Sequence, residues 1–458
     1  MTVQTPTKNE DIDIASFFRY LNTRGIPYCV VGPTDKLPDQ VESDLDIVMD
    51  VEPQVALRHI GMYCQSQGLR VVQHLQHEIS ANYYVLWKKS KRDDRFVSID
   101  VCRDYLRDAR LFLSGQELVS GRHKSVGPDG HELFYVPRPE LAFIYYLIKH
   151  VDKLQLNEKH VAYLSRMWRE TPQEAHDQLV RYFRGSDVAA IERAAESGNW
   201  DDFGRDTTAR RHLHRRMPRL SMKMWCAEAF RIFKRIIRPT GIHVVFLGPD
   251  GSGKSSVIEG VLQELEPVFR RLARYHLFPA GSANRSERRV VVPHERAPRS
   301  TVPSSMQLIL WLLRYTIGWA RDIWPANIKS TAILFDRYYH DVLVDPRRYR
   351  YGGPTWWARA LGWLVPKPDL WILLDAPADV LQARKTEVPA QESERQRRAY
   401  VALVESFDNG IVIDSSNPLD DVRREATRGI LEFMAHRTED RLGLGFSSPP
   451  PHSTGVAP

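Results

Sequence analysis

Cysteine is scarce in this sequence, and the four cysteines that it has are widely separated. They stand at Cys29, Cys64, Cys102 and Cys226, without a Cys-x-x-Cys pair and without the spacing of a structural metal site. A disulfide framework and a cysteine-ligated metal site are therefore not expected, and a reducing compartment is favoured.

Long apolar runs are missing as well. The most apolar stretch, Leu308 to Trp319, has 12 residues and is interrupted by Arg314, whereas a helix that crosses a bilayer needs roughly 20. The first residues, MTVQTPTKNEDIDIAS, lack the basic and then apolar pattern of a secretory signal. The sequence therefore predicts a cytoplasmic protein in which 308–319 belongs to a buried helix.

Most of the chain has little net charge of either sign. The 458 residues carry a formal charge of +7, but Gly204 to Arg238 alone contains eleven Lys or Arg and only two acids. The remainder is close to neutral, which argues against a protein that coats nucleic acid and for one local basic element. The length allows two or three domains.

A glycine-rich motif is the most informative feature that is present: GIHVVFLGPDGSGKSSVIE, residues 241–259. An apolar strand is predicted over Ile242–Leu247, the turn reads GxxxxGK[ST] in full, and a helical apolar stripe follows. Such a turn binds phosphate through its backbone N–H groups and the following helix N-terminus. Lys254 is expected at the terminal phosphates and Ser255 on Mg²⁺. The predicted nucleotide-binding residues are Gly248, Asp250, Gly251, Ser252, Gly253, Lys254, Ser255 and Ser256.

Strand and helix patterns alternate after this motif. A helix is predicted over 265–275, strands end at Asp336 and Asp375, and a short strand and a last helix follow at 411–413 and 419–436. This alternation predicts an α/β domain with a doubly wound parallel sheet.

Four motifs in order, GPDGSGKSS, FDRYY, PKPDLWILLDAP and ARK, resemble the thymidylate kinase family of P-loop kinases over most of Gly241–Ala435. The resemblance implies ATP as the phosphate donor and Mg²⁺ as a cofactor. It implies that Asp250 contacts the acceptor, that Asp336 lies near Mg²⁺ or the acceptor, and that Arg337 clamps the transferred phosphate. It implies catalytic roles for Lys254, for these three residues and for Arg384. Arg384, with Arg395, Arg397 or Arg398, would form a closing lid.

Structural alternatives remain for several of these residues. Asp336 and Arg337 could form a buried ion pair at the sheet edge. Arg384 fits a surface helix as well as a lid, and Asp375 is predicted to cap a strand end.

The acceptor segments depart from the family pattern. Residues 275–281 read YHLFPAG, without the acidic-arginine-proline-glycine segment of the family, and residues 345–353 read DPRRYRYGG. The arginines indicate an anionic or sugar-like acceptor. The layout also resembles kinase-like proteins that accompany bacterial surface-polysaccharide genes. A nucleotide, a sugar and a glycan therefore all stay open as acceptors.

Three acids stand out in the first part of the chain. Asp44 and Asp46 alternate along a predicted strand and so leave the same face, and Asp100 ends another predicted strand. Such a trio can hold Mg²⁺ ions that orient a nucleoside triphosphate. The alternative is a solvated turn that enters a strand.

Gly32, followed by Asp44, Asp46 and Asp100, resembles the nucleotidyltransferase superfamily (DNA polymerase β-like). The resemblance implies an α+β domain followed by a helical cap. Pro33 departs from the usual Gly-Ser or Gly-Gly, because proline offers phosphate neither a backbone N–H nor a hydroxyl. Lys149, in the predicted cap, is interpreted as a solvated lysine, with a place in the site as the alternative.

The basic element is predicted to be an amphipathic helix over 221–237. Its apolar face would pack on a neighbouring domain, which is the favoured interpretation, or the helix would lie on an anionic membrane surface. The predicted organisation is a nucleotidyltransferase-like domain (1–136), a helical cap (137–203), this linker (204–240), a kinase-like domain (241–441) and a disordered tail (442–458).

The sequence leaves three functions open. The first is an ATP- and Mg²⁺-dependent kinase of the thymidylate kinase-like class. The second adds an active nucleotidyltransferase to that kinase. The third is an ATP-binding regulatory or assembly protein without turnover.

Overall fold

Two sheets, one in each half of the chain, organise the fold. The structure is a computed structural model that describes residues 12–41, 44–91, 93–107, 110–126, 132–154, 156–200, 207–217, 222–279, 297–385 and 389–445. The chain divides into two units, Met1–Lys234 and Arg235–Pro458. The finer domain boundaries stay predictions.

The first unit contains a five-stranded mixed sheet in the order β1-β2-β5-β4-β3. β2 and β5 pair in parallel with Asp46 opposite Asp100, and the other pairs are antiparallel. Two small hairpins lie outside this sheet. The elements are α1 (Ile14–Thr23), β1 (Tyr28–Val30), β2 (Leu45–Met49), α2 (Pro53–Gln67), β3 (Arg70–Gln76), β4 (Ala81–Lys88), β5 (Arg95–Cys102), β6 (Tyr105–Arg107), β7 (Arg110–Leu113), α3 (Gly115–Val119), β8 (His123–Val126) and β9 (Glu132–Val136).

Helices follow the sheet and share one core with it. The helix α4 (Pro139–Lys153) is buried on almost every side, and its apolar residues pack with Cys29 and Val48 of the sheet. The other helices of this part are α5 (Glu158–Glu170), α6 (Pro172–Tyr182), α7 (Gly185–Ser197) and α8 (Thr207–Arg216). The helical character predicted for this region is confirmed for the residues that the structure describes.

The basic amphipathic helix is present as α9 (Met222–Ile237), and it presents its apolar side chains to solvent. None of its residues is buried, and Trp225, Phe230 and Phe233 are all exposed. The interpretation that this apolar face packs on a neighbouring domain is therefore wrong for the structure. Ser221, predicted to begin the helix, lies outside the described residues.

The second unit contains a five-stranded sheet, all parallel, in the order β11-β12-β10-β13-β14. Every residue of β10 and β12 is buried, so both faces of the central sheet are covered, as expected for parallel sheets. The elements are β10 (Ile242–Leu247), α10 (Lys254–Glu264), β11 (Arg271–His276), α11 (Thr301–Gly318), a π-helical turn (Trp319–Ile323), α12 (Trp324–Ile328), β12 (Thr331–Asp336), α13 (Asp341–Val344), α14 (Thr355–Leu364), β13 (Leu370–Asp375), α15 (Ala378–Arg384), α16 (Ala390–Glu405), β14 (Gly410–Asp414) and α17 (Leu419–Leu442).

Three local predictions for this unit are corrected. The helix predicted over 265–275 does not form, because α10 ends at Glu264 and the edge strand β11 takes the second half of that range. The apolar helix α11 is not a buried helix, because Met306, Leu310 and Leu313 on one side of it are exposed. The last helix continues to Leu442, the first residue of the predicted tail, and 446–458 lie outside the described residues.

In the described part of the chain, no helix is both long enough and apolar enough to cross a membrane.

Two buried histidines make the second unit sensitive to acid. Burial lowers the pKa of His243 and of His340 to about 4, below the roughly 6.5 of an unfolded chain. The unfolded chain therefore binds protons first, and stability falls as pH drops from about 6.5 towards 4. At pH 5 the expected loss is about 2 kcal/mol for each histidine.

Urea unfolding of His243→Asn at pH 7.5 and pH 5 tests this expectation. The variant should lose less stability between the two pH values than the unaltered protein, by about 2 kcal/mol. The change in the free energy of unfolding between the two pH values is diagnostic even if the substitution weakens packing at both. Equal losses of stability in the two proteins would contradict the expected contribution of His243.

Candidate active sites

The glycine-rich turn between β10 and α10 has a backbone that side chains would obstruct. Gly248 has φ 144° and Gly251 has φ 86°. A Cβ on Gly248 would lie 2.5 Å from the Leu374 carbonyl oxygen, and one on Gly251 would lie 2.9 Å from that of Leu381. The local sequence thus produces the curled turn that the motif predicts, at the carboxyl end of the central strand.

Lys254, the first residue of α10, folds back over this turn. Its buried ammonium donates to the carbonyl oxygens of Gly248 and Pro249, both at 2.8 Å. Burial and the nearby guanidinium of Arg337 lower the pKa of Lys254 to about 8. A phosphate oxygen that approached this ammonium would meet a poorly hydrated cation, so the residue is suited to bind anions.

The hydroxyl of Ser255 lies beside the carboxylate that ends β12. Ser255 Oγ donates to Asp336 Oδ2 at 3.0 Å, and Arg274 of β11 lies 3.6 Å from the same oxygen. A hydroxyl and a carboxylate at this distance are oxygen ligands that Mg²⁺ prefers. The two residues predicted to bind Mg²⁺ are therefore adjacent, and their role as metal ligands stays a prediction.

Arg337 follows β12 in a left-handed conformation, with φ 70°. Arg337 is buried. Its guanidinium donates to Asp250 of the glycine-rich turn (the phosphate loop, residues 248–255) and, at 2.6 Å, to Asp341. Asp250 also accepts from Arg348. The structure thus joins two residues that were predicted separately, Asp250 and Arg337, in one ion pair.

Asp341, Arg348, Tyr349 and Tyr400 belong to the same network. Sequence reasoning singled out the arginines of 345–353, but it selected neither Asp341 nor the two tyrosines. The buried Asp341 carboxylate accepts from the hydroxyls of Tyr349, at 2.5 Å, and Tyr400. Burial opposes its ionisation, but Arg337 and the two hydroxyls hold the pKa of Asp341 below its usual value. Helical periodicity in the sequence gives no signal for this contact, because Arg337 lies in a left-handed turn and α13 begins only at Asp341.

The candidate lid arginines have different surroundings. Arg384 is exposed at the end of α15 and donates to the Ser415 carbonyl. Its Cβ lies 3.7 Å from where a Cβ of Gly251 would be, so Arg384 borders the phosphate loop.

Three further arginines lie on α16. Arg397 binds Asp375 at the end of β13, at 2.9 Å, so Asp375 takes part in an ion pair there. Arg395 donates to the Val344 carbonyl, and Arg398 pairs with Glu394.

The three acids of the first unit also converge. One ligand oxygen from each of Asp44, Asp46 and Asp100 lies within 4.8 Å of the others. Burial and then the charge of Asp46 raise the pKa of Asp100 to about 7. Gly32 has φ 93°, and a Cβ added there would lie 3.4 Å from the ring of Tyr146. The donor set is oxygen only, which suits Mg²⁺.

Lys149 corrects the interpretation of a solvated lysine. Its buried ammonium donates to both carboxylate oxygens of Asp46, at 2.8 and 2.7 Å. Burial opposes the charge, but Asp46 and Asp100 raise the pKa of Lys149 above its usual value. A helix position more than a hundred residues away in sequence thus supplies a cation to the acid cluster.

Part of the chain is similar to curated thymidylate kinases. A probable thymidylate kinase of Methanosarcina mazei is 26% identical over 215 residues, which cover 42% of this chain and 97% of that protein. The thymidylate kinase of Leuconostoc citreum is also 26% identical over 215 residues (42% and 94%). That of Methylobacillus flagellatus is 28% identical over 211 residues (43% and 99%). No protein-family model matches the chain.

Proposed function

We propose that the second unit is an ATP- and Mg²⁺-dependent kinase that transfers the terminal phosphate of ATP to a nucleotide, sugar or glycan. The observation that carries the proposal is the meeting of the phosphate loop with Asp336 and Arg337 at the carboxyl ends of β10 and β12. The similarity to thymidylate kinases, over 42% of the chain, supports ATP-dependent kinase chemistry.

Four residues of this site would have separate roles in phosphoryl transfer. Lys254 would exchange its two loop carbonyls for phosphate oxygens. Ser255 and Asp336 would hold Mg²⁺, and Arg337 would bind the phosphate in transit. Since phosphoryl transfer depends mainly on positioning and on neutralising spread negative charge, this set of groups is what the reaction needs.

Arg348 supports an acceptor that is anionic or sugar-like. Arg348 is largely buried and lies in residues 345–353, the arginine-rich loop. It donates to one oxygen of the Asp250 carboxylate, and Arg337 donates to the other. With both carboxylate oxygens engaged by guanidinium groups, Asp250 carries little free negative charge towards an acceptor. A phosphate or a ring hydroxyl would find donors there.

An acceptor screen tests this function. The purified chain is incubated with Mg²⁺ and ATP labelled at the γ-phosphate, with panels of nucleotides, monosaccharides, sugar phosphates and glycans. Label in at least one acceptor is expected, and Asp336→Asn should abolish it. ATP binding without transfer to any acceptor would favour the regulatory or assembly protein instead.

We also propose a second candidate function, nucleotidyl transfer by the first unit. The observation that favours it is the convergence of Asp44, Asp46 and Asp100. Two or three carboxylates at this spacing would hold Mg²⁺ and orient a triphosphate for attack at its α-phosphorus. Lys149 would then provide a fixed positive charge beside Asp46.

Label from the α-phosphate distinguishes this second activity from the first. A nucleoside triphosphate labelled there should pass its label to product, and Asp44→Ala should remove at least about 99% of the transfer. The matched control is Asp39→Ala, an exposed acid of the same segment, which should transfer normally. Transfer that persists in Asp44→Ala would disprove the proposal.

A further inference from the structure

The orientation of α9 is the reverse of that expected for a surface helix. Its half-buried residues are the mainly polar ones on one side: Met224, Ala227, Glu228, Arg231 and Arg235. At 100° per residue these five fall within one arc of the helix. The polar face is thus the covered face, whereas surface helices normally cover their apolar face.

Hydrogen bonds hold the polar face in this orientation. Arg231 pairs with Glu228 and donates to the Gln76 carbonyl at 2.8 Å, within the first unit. Arg235 donates to the Ile328 carbonyl at 3.0 Å, within the second unit. The only acid of the helix is therefore turned away from the apolar face.

The opposite arc is a continuous apolar surface. Phe230 is 66% exposed and Phe233 is 57% exposed. The exposed apolar residues of this arc are Met222, Trp225, Phe230, Ile232, Phe233, Ile236 and Ile237. An exposed apolar face of this width marks a surface that meets another apolar phase.

Cations border the apolar face along one edge. Lys223 and Lys234 are exposed and lie about 20° apart in helical projection, next to Phe230. Arg238 follows directly after the helix and is also exposed. The edge that would lie at the level of lipid headgroups is thus positively charged.

We propose that α9 docks the protein on an anionic lipid bilayer, with its apolar face in the boundary between headgroups and acyl chains. Aromatic and aliphatic side chains on one face, lysines at the edge and no exposed acid are the features of a helix that lies in a membrane interface. Charge complementarity selects this occupant over a second copy of the same face, because two such edges would repel each other. The inference is independent of the kinase proposal.

Co-sedimentation of the full chain with vesicles tests the docking. Binding is expected to phosphatidylcholine vesicles with about 30% phosphatidylglycerol and not to pure phosphatidylcholine. Raising NaCl from about 0.1 to 0.5 M should weaken it, because the Debye length falls. Lys223→Gln/Lys234→Gln should lower the partition coefficient about thirtyfold. Phe230→Gln/Phe233→Gln should lower it about a hundredfold.

Leu310→Gln is the matched control. Leu310 is an exposed apolar residue of α11 without a lysine edge, and this variant should bind vesicles like the unaltered protein. All substituted side chains are exposed, so circular dichroism should be unchanged.

Three outcomes overturn the docking. They are no binding to anionic vesicles at low salt, equal weakening by Leu310→Gln, and a vesicle-free dimer that Phe230→Gln/Phe233→Gln dissociates.

Discussion

Lys254→Ala is expected to lower the rate of phosphoryl transfer about 10³-fold. Its ammonium is the buried cation at the centre of the phosphate loop, held by the carbonyls of Gly248 and Pro249. Water is largely excluded there, so a single charge contributes far more to binding a transition state than at the surface. Loss of the charge leaves the developing negative charge without its nearest partner in the loop.

ATP binding by calorimetry measures the same residue without knowledge of the acceptor. The affinity for ATP in the presence of Mg²⁺ should fall clearly in Lys254→Ala. Lys329→Ala removes an exposed lysine of the same unit and should bind ATP normally. ATP binding that is unchanged by Lys254→Ala would count decisively against a kinase.

Asp341→Asn is expected to cost about 3–5 kcal/mol in the free energy of unfolding of the second unit. The carboxylate is completely buried, and it pairs with the buried guanidinium of Arg337 at 2.6 Å. Breaking this pair leaves the buried Arg337 charge with only the Asp250 carboxylate, which it shares with Arg348, as its ion-pair partner in the site. The amide also cannot accept all three hydrogen bonds with the strength of an anion.

Thermal or urea unfolding measures this loss, and Asp421→Asn provides the comparison. Asp421 forms an exposed pair with Arg424 at 2.8 Å, and its substitution should cost less than about 1 kcal/mol. If both variants lost the same small amount, the Asp341 network would not stabilise the fold as described.

Much of the fold was predictable from local sequence patterns. The phosphate loop was predictable because its glycines, its apolar strand and its helix are contiguous in sequence, and each has its own chemical signature. The strands that end at Asp336 and Asp375 were recognisable as continuous apolar runs, which is the pattern of a covered parallel sheet.

The errors arose where an element is exposed. The edge strand β11 contains only exposed and partly buried residues, so its sequence lacks the apolar run of the neighbouring strands. For α11 and α9 the apolar stripe predicted a helix correctly, but the sequence does not determine whether that stripe packs against protein or faces solvent.

The missed site residues depend on distant pairings. Lys149 reaches Asp46 only because α4 packs against the first sheet, and periodicity gives no information on that packing. Tyr400 likewise meets the phosphate-loop network through α16, a segment that approaches it from another part of the chain.

The Asp341 carboxylate also has a mechanical consequence. It accepts hydrogen bonds from the turn after β12, from the arginine-rich loop through Tyr349 and from α16 through Tyr400. If any one of these segments moved alone, it would leave a buried donor without its acceptor. The three are therefore expected to travel as one rigid piece, so that a hinge for closing over a substrate must lie outside them.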